Sequence, residues 1–379
     1  MSKVNIGYKD GMKVMIESEI AVNPHVALIG ASGSGKTVEA QRIISGLVEQ
    51  GETVLVISIH NSFIDNQILP YYKEVINKHR CDVYAHRDGI PCRLFEPLIY
   101  EDKTKEDVED VAGAVTDIIE RTLSMGRRQK GILRTVIEEV IDAGEYHEKG
   151  FIAIGDMLKS LEDKRCDDLY EKYSYVFRKN LFYDGDLLKE GKVNIIHLDH
   201  FDLELQDTVA ELLLSYLWRV ANAGIFQKNK VFLFVDECQN MISSAKGALA
   251  HLISEGRKLG INLILATQMI LNGSSNAVQQ RISQCGTILY FKPASNRIKQ
   301  TAKLISPGTD IKWGLRLKRL KVGEFVATGD FMVGEETINY PLVVDANIER
   351  IRGYDEVSNL FTKLTTTYIK SNSLNEKNM

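Results

Sequence analysis

The sequence predicts an α/β fold: a mostly parallel sheet flanked by helices, with an all-α insertion. Three observations carry that reading. Short apolar runs recur: "HVALIG" (25–30), "TVLVISI" (53–59), "KVNIIHL" (192–198), "KVFLFVD" (230–236), "INLILAT" (261–267), "TILYF" (287–291) and "EFVATG" (324–329). Several are apolar at nearly every position, as strands buried on both faces of a parallel sheet are. Helical stretches at 36–50, 207–223 and 244–258 alternate with them, which is the pattern of an α/β domain. Between 98 and 190 the texture changes: "VEDVAGAVTDIIERTLSM" and "KGILRTVIEEVIDA" place apolar residues at helical spacing, with no strong strand.

These elements divide the chain into an α/β core (1–97 with 191–350), a helical insertion (98–190), and a C-terminal helix with a polar, frayed tail (351–379). The 379 residues are ordinary in composition, 44% hydrophobic and 26% charged. No apolar run approaches the ~20 residues that cross a bilayer, and "MSKVNIGYKDG" lacks the apolar centre of a signal peptide. We therefore expect no membrane insertion. The cysteines Cys81, Cys92, Cys166, Cys238 and Cys285 are scattered without a CxxC pair, which favours reduced thiols in a cytoplasmic protein over a disulfide or zinc framework. His197 and His200 flank Asp199 in "IIHLDHFD", which reads better as a strand end and turn than as a metal site.

Residues 30–37 read "GASGSGKT", the full pattern G-x-x-x-x-G-K-[ST], between the strand "HVALI" and the helix "TVEAQRIISGLVEQ". Gly30, Ala31, Ser32, Gly33, Ser34 and Gly35 form a loop whose backbone N–H groups can curl around phosphate oxygens, at a helix N-terminus that favours anions. Lys36 is expected to reach the β- and γ-phosphates of ATP, and Thr37 to give its hydroxyl to Mg²⁺. The second half of such a site is a buried strand ending in a carboxylate. "VFLFVDE" (231–237) supplies Asp236 for the Mg²⁺ shell and Glu237 to orient or deprotonate water. A small-molecule kinase has no need of the second acid, so the pair favours hydrolysis coupled to work.

"EGRKLGINLILATQ" (255–268) sets an arginine before a strand and a glutamine after it. Ligands of open parallel sheets bind outside the carboxyl ends of the strands. If this strand is a parallel neighbour, Gln268 emerges at the phosphate edge of its own subunit, while Arg257 lies at the opposite edge. Seven residues at ~3.3 Å each make roughly 23 Å, beyond the reach of an Arg side chain. Arg257 therefore either touches the ATP of a neighbouring subunit or complements a helix C-terminus.

With these stretches the chain resembles the HerA/FtsK superfamily of hexameric DNA-pumping ATPases, which includes conjugative coupling proteins and VirB4-type ATPases. The resemblance runs through "VNPHVALIGASGSGKT", "VFLFVDECQNM", "EGRKLGINLILATQ", "VQQRISQCGTILYF" and "GEFVATG", in the family's order. It implies a RecA/FtsK-like P-loop NTPase fold, a homo-oligomer (a hexamer), and backbone-bound, non-specific DNA. It assigns Arg257 as a finger acting in trans and Gln268 as a phosphate sensor. The chain departs from the family in having only about 25 residues before the first strand, where HerA proteins carry a β-barrel. It has "SIHNSF" (58–63) where many relatives have Asp-Pro, and it lacks the transmembrane helices of coupling proteins.

Two functions follow as expectations. In one, a ring hydrolyses ATP to translocate or process double-stranded DNA. In the other, an ATPase scaffold powers a secretion machine or gates a partner effector such as a nuclease. Net charge is −4, but residues 292–321 carry nine Lys/Arg against Asp310 alone. That segment is either a solvated face or a surface that meets phosphates. It and the polar loop "NMISSAKG" (240–247) are the candidate pore contacts.

Overall fold

Alternate residues of the predicted strands face two separate apolar layers, and this explains why the runs are continuously apolar. Ala27, Ile29, Leu55, Ile57, Leu233, Val235, Leu263 and Leu265 enter one core, and Val26, Leu28, Val54, Val56, Phe232, Phe234, Ile264 and Ala266 the other. The computed structural model describes residues 2–18, 21, 23–242, 247–268 and 276–347. The predicted C-terminal helix and tail at 351–379 lie outside the described residues.

Apart from a two-residue parallel pair (Ile90–Pro91 with Phe182–Tyr183), the strands are β1 (Lys3–Lys9), β2 (Met12–Glu17), β3 (Val26–Ile29), β4 (Thr53–Ser58), β5 (Arg80–Tyr84), β6 (Val193–His197) and β7 (Val231–Val235). They continue with β8 (Ile261–Thr267), β9 (Thr287–Phe291), β10 (Glu324–Gly329), β11 (Phe331–Val333), β12 (Glu336–Ile338) and β13 (Leu342–Asp345). These thirteen form one sheet in the order β12-β11-β2-β1-β13-β10-β9-β3-β8-β7-β4-β6-β5. From β9 to β5 every neighbouring pair is parallel; from β10 to β12 every pair is antiparallel. The sheet is thus mixed, and its parallel half holds the site.

Helix α1 (Lys36–Val48) follows β3 and buries Ala40, Ile43, Ile44 and Leu47 on one face of the sheet, and α2 (Pro70–His79) precedes β5. The opposite face is covered by α3 (Val108–Thr122), α4 (Arg127–Asp142), α5 (Phe151–Ser160), α6 (Lys164–Phe177) and α7 (Leu203–Asn222). Val111, Val115, Leu133, Ile137, Leu158 and Val176 of those helices share one core with Leu55 and Leu233 of the sheet. Helix α7 starts four residues before the predicted 207. The Asp202 side chain accepts from Leu205 N at 2.9 Å and fixes that start.

The predicted helix 244–258 is shorter: α8 spans Ala248–Glu255 and gives way to a 3₁₀ turn at Gly256–Leu259. Gly260 ends that turn at φ 85°, where a Cβ would stand 2.0 Å from the Phe226 carbonyl oxygen. Two helices, α9 (Ile298–Ile305) and α10 (Asp310–Arg319), form a hairpin between β9 and β10. Among the described residues no helix is long and apolar enough to cross a membrane. All five cysteines are free thiols.

Candidate active site at the carboxyl edge of the sheet

β3 ends at Ile29, level with Thr267 of β8 and Tyr290 of β9. The phosphate loop therefore opens between two parallel neighbours. Gly30 N donates to Thr267 O (3.2 Å) and Ala31 N to Lys292 O (3.1 Å). A Cβ on Gly30 would stand 2.6 Å from Phe291 Cβ, so only glycine lets the loop leave the strand here. Gly33 (φ 72°) and Gly35 (φ 110°) take left-handed conformations that turn the loop back onto α1. Ser34 Oγ is buried with no hydrogen-bond partner, and Ser32 is exposed at the rim. An orphaned hydroxyl inside a loop of this shape suits an incoming phosphate oxygen.

Lys36 is buried, and its Nζ donates to the loop's own carbonyls at Gly30 (2.9 Å) and Ala31 (3.1 Å). Burial lowers its pKa, while the carboxylates of Glu237 and Asp236 pull it back up. Thr37 stands half-buried in the first turn of α1.

Asp236 and Glu237 follow β7 and are both buried. Burial raises the Asp236 pKa, opposed by the Ser62 hydroxyl 3.0 Å from its Oδ2. Its Oδ1 accepts from Glu237 N at 2.9 Å. Glu237 sits at φ 46°, a left-handed conformation that costs a non-glycine residue about 1 kcal/mol or more. Its carboxylate accepts from two glutamines: Gln239 Nε2 at 2.8 Å, and Gln268 Nε2. Thr267 Oγ1 in turn donates to Gln239 Oε1 at 2.6 Å. A short polar chain thus joins the ends of β7 and β8 and aims one carboxylate.

The structure therefore brings together Lys36, Thr37, Asp236, Glu237 and Gln268, with the loop 30–35, on one edge. Sequence reasoning missed Ser62, Gln239 and Thr267. Ser62 lies in "SIHNSF" after β4, which neighbours β7; a hydroxyl just past a strand adjacent to Asp236 was the available signal. Arg257 is not brought to this edge. It is exposed in the turn before β8, at the amino edge.

His25 is also at the amino edge, just before β3. Leu263 N donates to His25 Nδ1 at 3.1 Å, which fixes the neutral Nε2–H tautomer. Burial lowers its pKa to about 4, with the nearby Arg257 charge acting in the same direction against two backbone carbonyls. The folded ring thus takes up its proton near pH 4 and the unfolded one at its ordinary 6.5. The contribution of His25 to stability is full above pH 6.5 and is lost as pH falls towards 4. Buried Glu39 has the opposite sign: burial raises its pKa to about 7 against Arg42, so its contribution is lost as pH rises through that value. Comparing the parent with His25→Asn cancels Glu39. Between pH 7 and pH 5 the parent should lose about 2 kcal/mol more than the variant in urea unfolding; parallel pH curves would exclude His25 as the source.

The basic segment places Lys299 and Lys303 on α9 and Lys312, Arg316, Lys318 and Arg319 on α10, all exposed. Its hairpin is rooted on the phosphate loop at both ends. Lys292 O accepts from Ala31 N, and Gly323 N approaches Ser34 O at 3.5 Å. Ile311 and Leu315 are 80% and 54% exposed among the cations of α10. Of the other candidate loop, 243–246 lie outside the described residues.

Comparison with known proteins agrees with this fold. Residues 4–217 match the family model described as "Helicase HerA, central domain". A probable helicase of Methanocaldococcus jannaschii is 20% identical over 357 residues, covering 85% of this chain and 63% of that protein. The DNA double-strand break repair helicase HerA of Sulfolobus acidocaldarius is 22% identical over 330 residues, covering 78% and 63%. The chain thus spans less than two thirds of the length of either relative. Among solved structures, VirB4 of Thermoanaerobacter pseudethanolicus superposes with a TM-score of 0.68 at 15% identity, over 92% of this chain and 98% of that one. With over half of its length matching that model, and a phosphate loop set beside an Asp-Glu pair on a shared fold, the chain belongs to the HerA central-domain family of P-loop ATPases.

Proposed function

We propose that this chain hydrolyses ATP as a subunit of a ring, a hexamer, and uses the energy to translocate or process double-stranded DNA. The observation that carries the hydrolytic reading is the Glu237 carboxylate, gripped by Gln239 and Gln268 beside Lys36 and Asp236. The two amides fix the direction of that carboxylate, as a general base requires. Lys36 exchanges its loop carbonyls for β- and γ-phosphate oxygens, and the loop amides with Ser34 complete the cradle. Thr37 and Asp236 would hold Mg²⁺, which supplies charge neutralisation across the phosphates. Gln268 links the γ-phosphate position to Glu237 in its own subunit. Arg257, at the far edge, serves the ATP of a neighbouring copy. Phosphate release measured with and without duplex DNA, with ring size determined on the same sample, tests the reading; a monomer indifferent to DNA would overturn it.

DNA contact through the hairpin gives a separate expectation. Each phosphate contact on duplex DNA contributes ~0.9 to the slope of log affinity against log salt. Replacing Arg316, Lys318 and Arg319 by Ala should therefore lower that slope by about 2–3. A folded triple variant with an unchanged slope would leave the basic helix as a solvated face. A second reading, an ATPase scaffold that powers secretion or gates an effector nuclease, is favoured by Ile311 and Leu315, because a phosphate backbone has no use for exposed aliphatic side chains. ATPase that ignores duplex DNA yet rises with a protein partner would select it.

A further inference from the structure

β3 is four residues long, and its ends face opposite edges of the sheet. Gly30 leaves one end into the phosphate loop; His25 stands just before the other, at the edge that carries Arg257. The His25 ring is 1% exposed. Across the interstrand gap, its Nδ1 takes the backbone amide of Leu263, the third residue of β8. On the other side the ring faces the last turn of α8 near Leu252 and Ile253, where its Nε2 is buried and makes no hydrogen bond. The His25 carbonyl accepts from Thr287 N at 3.2 Å, tying its backbone to β9. Between α8 and β8 lies only the Gly256–Leu259 turn with Gly260, whose carbonyl accepts from Val231 N at 2.9 Å.

We propose that His25 is a positioning residue for Arg257: its imidazole pins the start of β8 through Leu263 N, and so sets where the turn before that strand presents the guanidinium. This rests on the reading that Arg257 serves a neighbouring copy's ATP. It has an unexpected corollary. His25 is five residues before Gly30 in sequence, yet its loss should damage the neighbour's site and spare its own.

His25→Leu fills the space and removes the acceptor; His25→Asn returns an oxygen near the place of Nδ1. Small misplacements of a catalytic group cost up to roughly 100-fold. The Leu variant should therefore lose about ten- to a hundredfold in ATPase rate with nucleotide affinity intact, and the Asn variant should recover most of the rate. In mixed assemblies His25→Leu should regain activity with Lys36→Ala, whose arginine is sound, and none with Arg257→Ala. The reverse pattern would mean that His25 acts on its own phosphate loop and would overturn the proposal. Amide exchange over 256–263, read on the same proteins without nucleotide, should quicken in His25→Leu and return in His25→Asn. Unchanged exchange overturns the positioning role whatever the mixtures do. Quickened exchange, with Arg257→Ala failing to recover alongside Lys36→Ala, would keep His25 as the anchor of the turn and remove the trans role of Arg257 instead.

Discussion

Glu237→Gln should bind ATP and Mg²⁺ about as well as the parent and turn over some 10²–10⁴ times more slowly. That range is what a positioned general base contributes. The phosphate loop, Lys36 and Asp236 survive the change, so the cradle remains. What is lost is the anion on which two glutamine amides converge. An amide at 237 has one oxygen to offer where the carboxylate had two, so Gln239 and Gln268 cannot both keep their bonds. Single-turnover hydrolysis beside equilibrium nucleotide binding separates the two effects. A Glu237→Gln protein with near-normal kcat would remove Glu237 from the mechanism.

Arg257→Ala should lose roughly 10³–10⁵ in rate, the usual worth of an arginine finger, while still binding ATP. The drop alone does not distinguish a trans finger from a local structural role, and mixing does. A Lys36→Ala subunit has a dead site but a sound arginine; an Arg257→Ala subunit has a sound site and no finger. Side by side in the right order they rebuild one working site, and ATPase should return. Gln268 reaches Glu237 of its own chain, so Gln268→Ala should also recover with Arg257→Ala and fail with Lys36→Ala. Coupling around a ring can mask recovery, so basal hydrolysis without DNA is the assay. Co-assembly of Lys36→Ala with Arg257→Ala and no activity above either alone would end the trans assignment.

Most of the parallel half of the sheet was legible because burial on both faces leaves a continuous apolar signature: β3, β4, β6, β7, β8 and β9 coincide with predicted runs, as does the adjoining antiparallel strand β10. The antiparallel strands beyond β10 and the parallel edge strand β5 were not. β1 (KVNIGYK) and β2 (MKVMIE) bury only part of their residues, and β5 (RCDVY) is a half-exposed edge strand, so their sequences alternate or mix. The phosphate loop and Asp236-Glu237 were readable because backbone chemistry demands those residue types at that spacing. Ser62, Gln239 and Thr267 were not, because their contacts depend on which strand lies beside which. The left-handed backbone of Glu237 has no sequence signature at all, since glutamate is not a residue that favours it.

β8 acts as a ruler. Its seven residues are buried; residues 261–265 pair with β7 and residues 264–267 with β3. Exchanges among valine, isoleucine and leucine within it should drift freely between relatives. A change in its length should not: one residue more or fewer moves Gln268 by ~3.3 Å relative to Arg257 and turns every later side chain to the opposite face. Insertions and deletions in this stretch of the lineage should therefore gather beyond Gln268 and before Glu255, leaving the interval between arginine and glutamine at one fixed count.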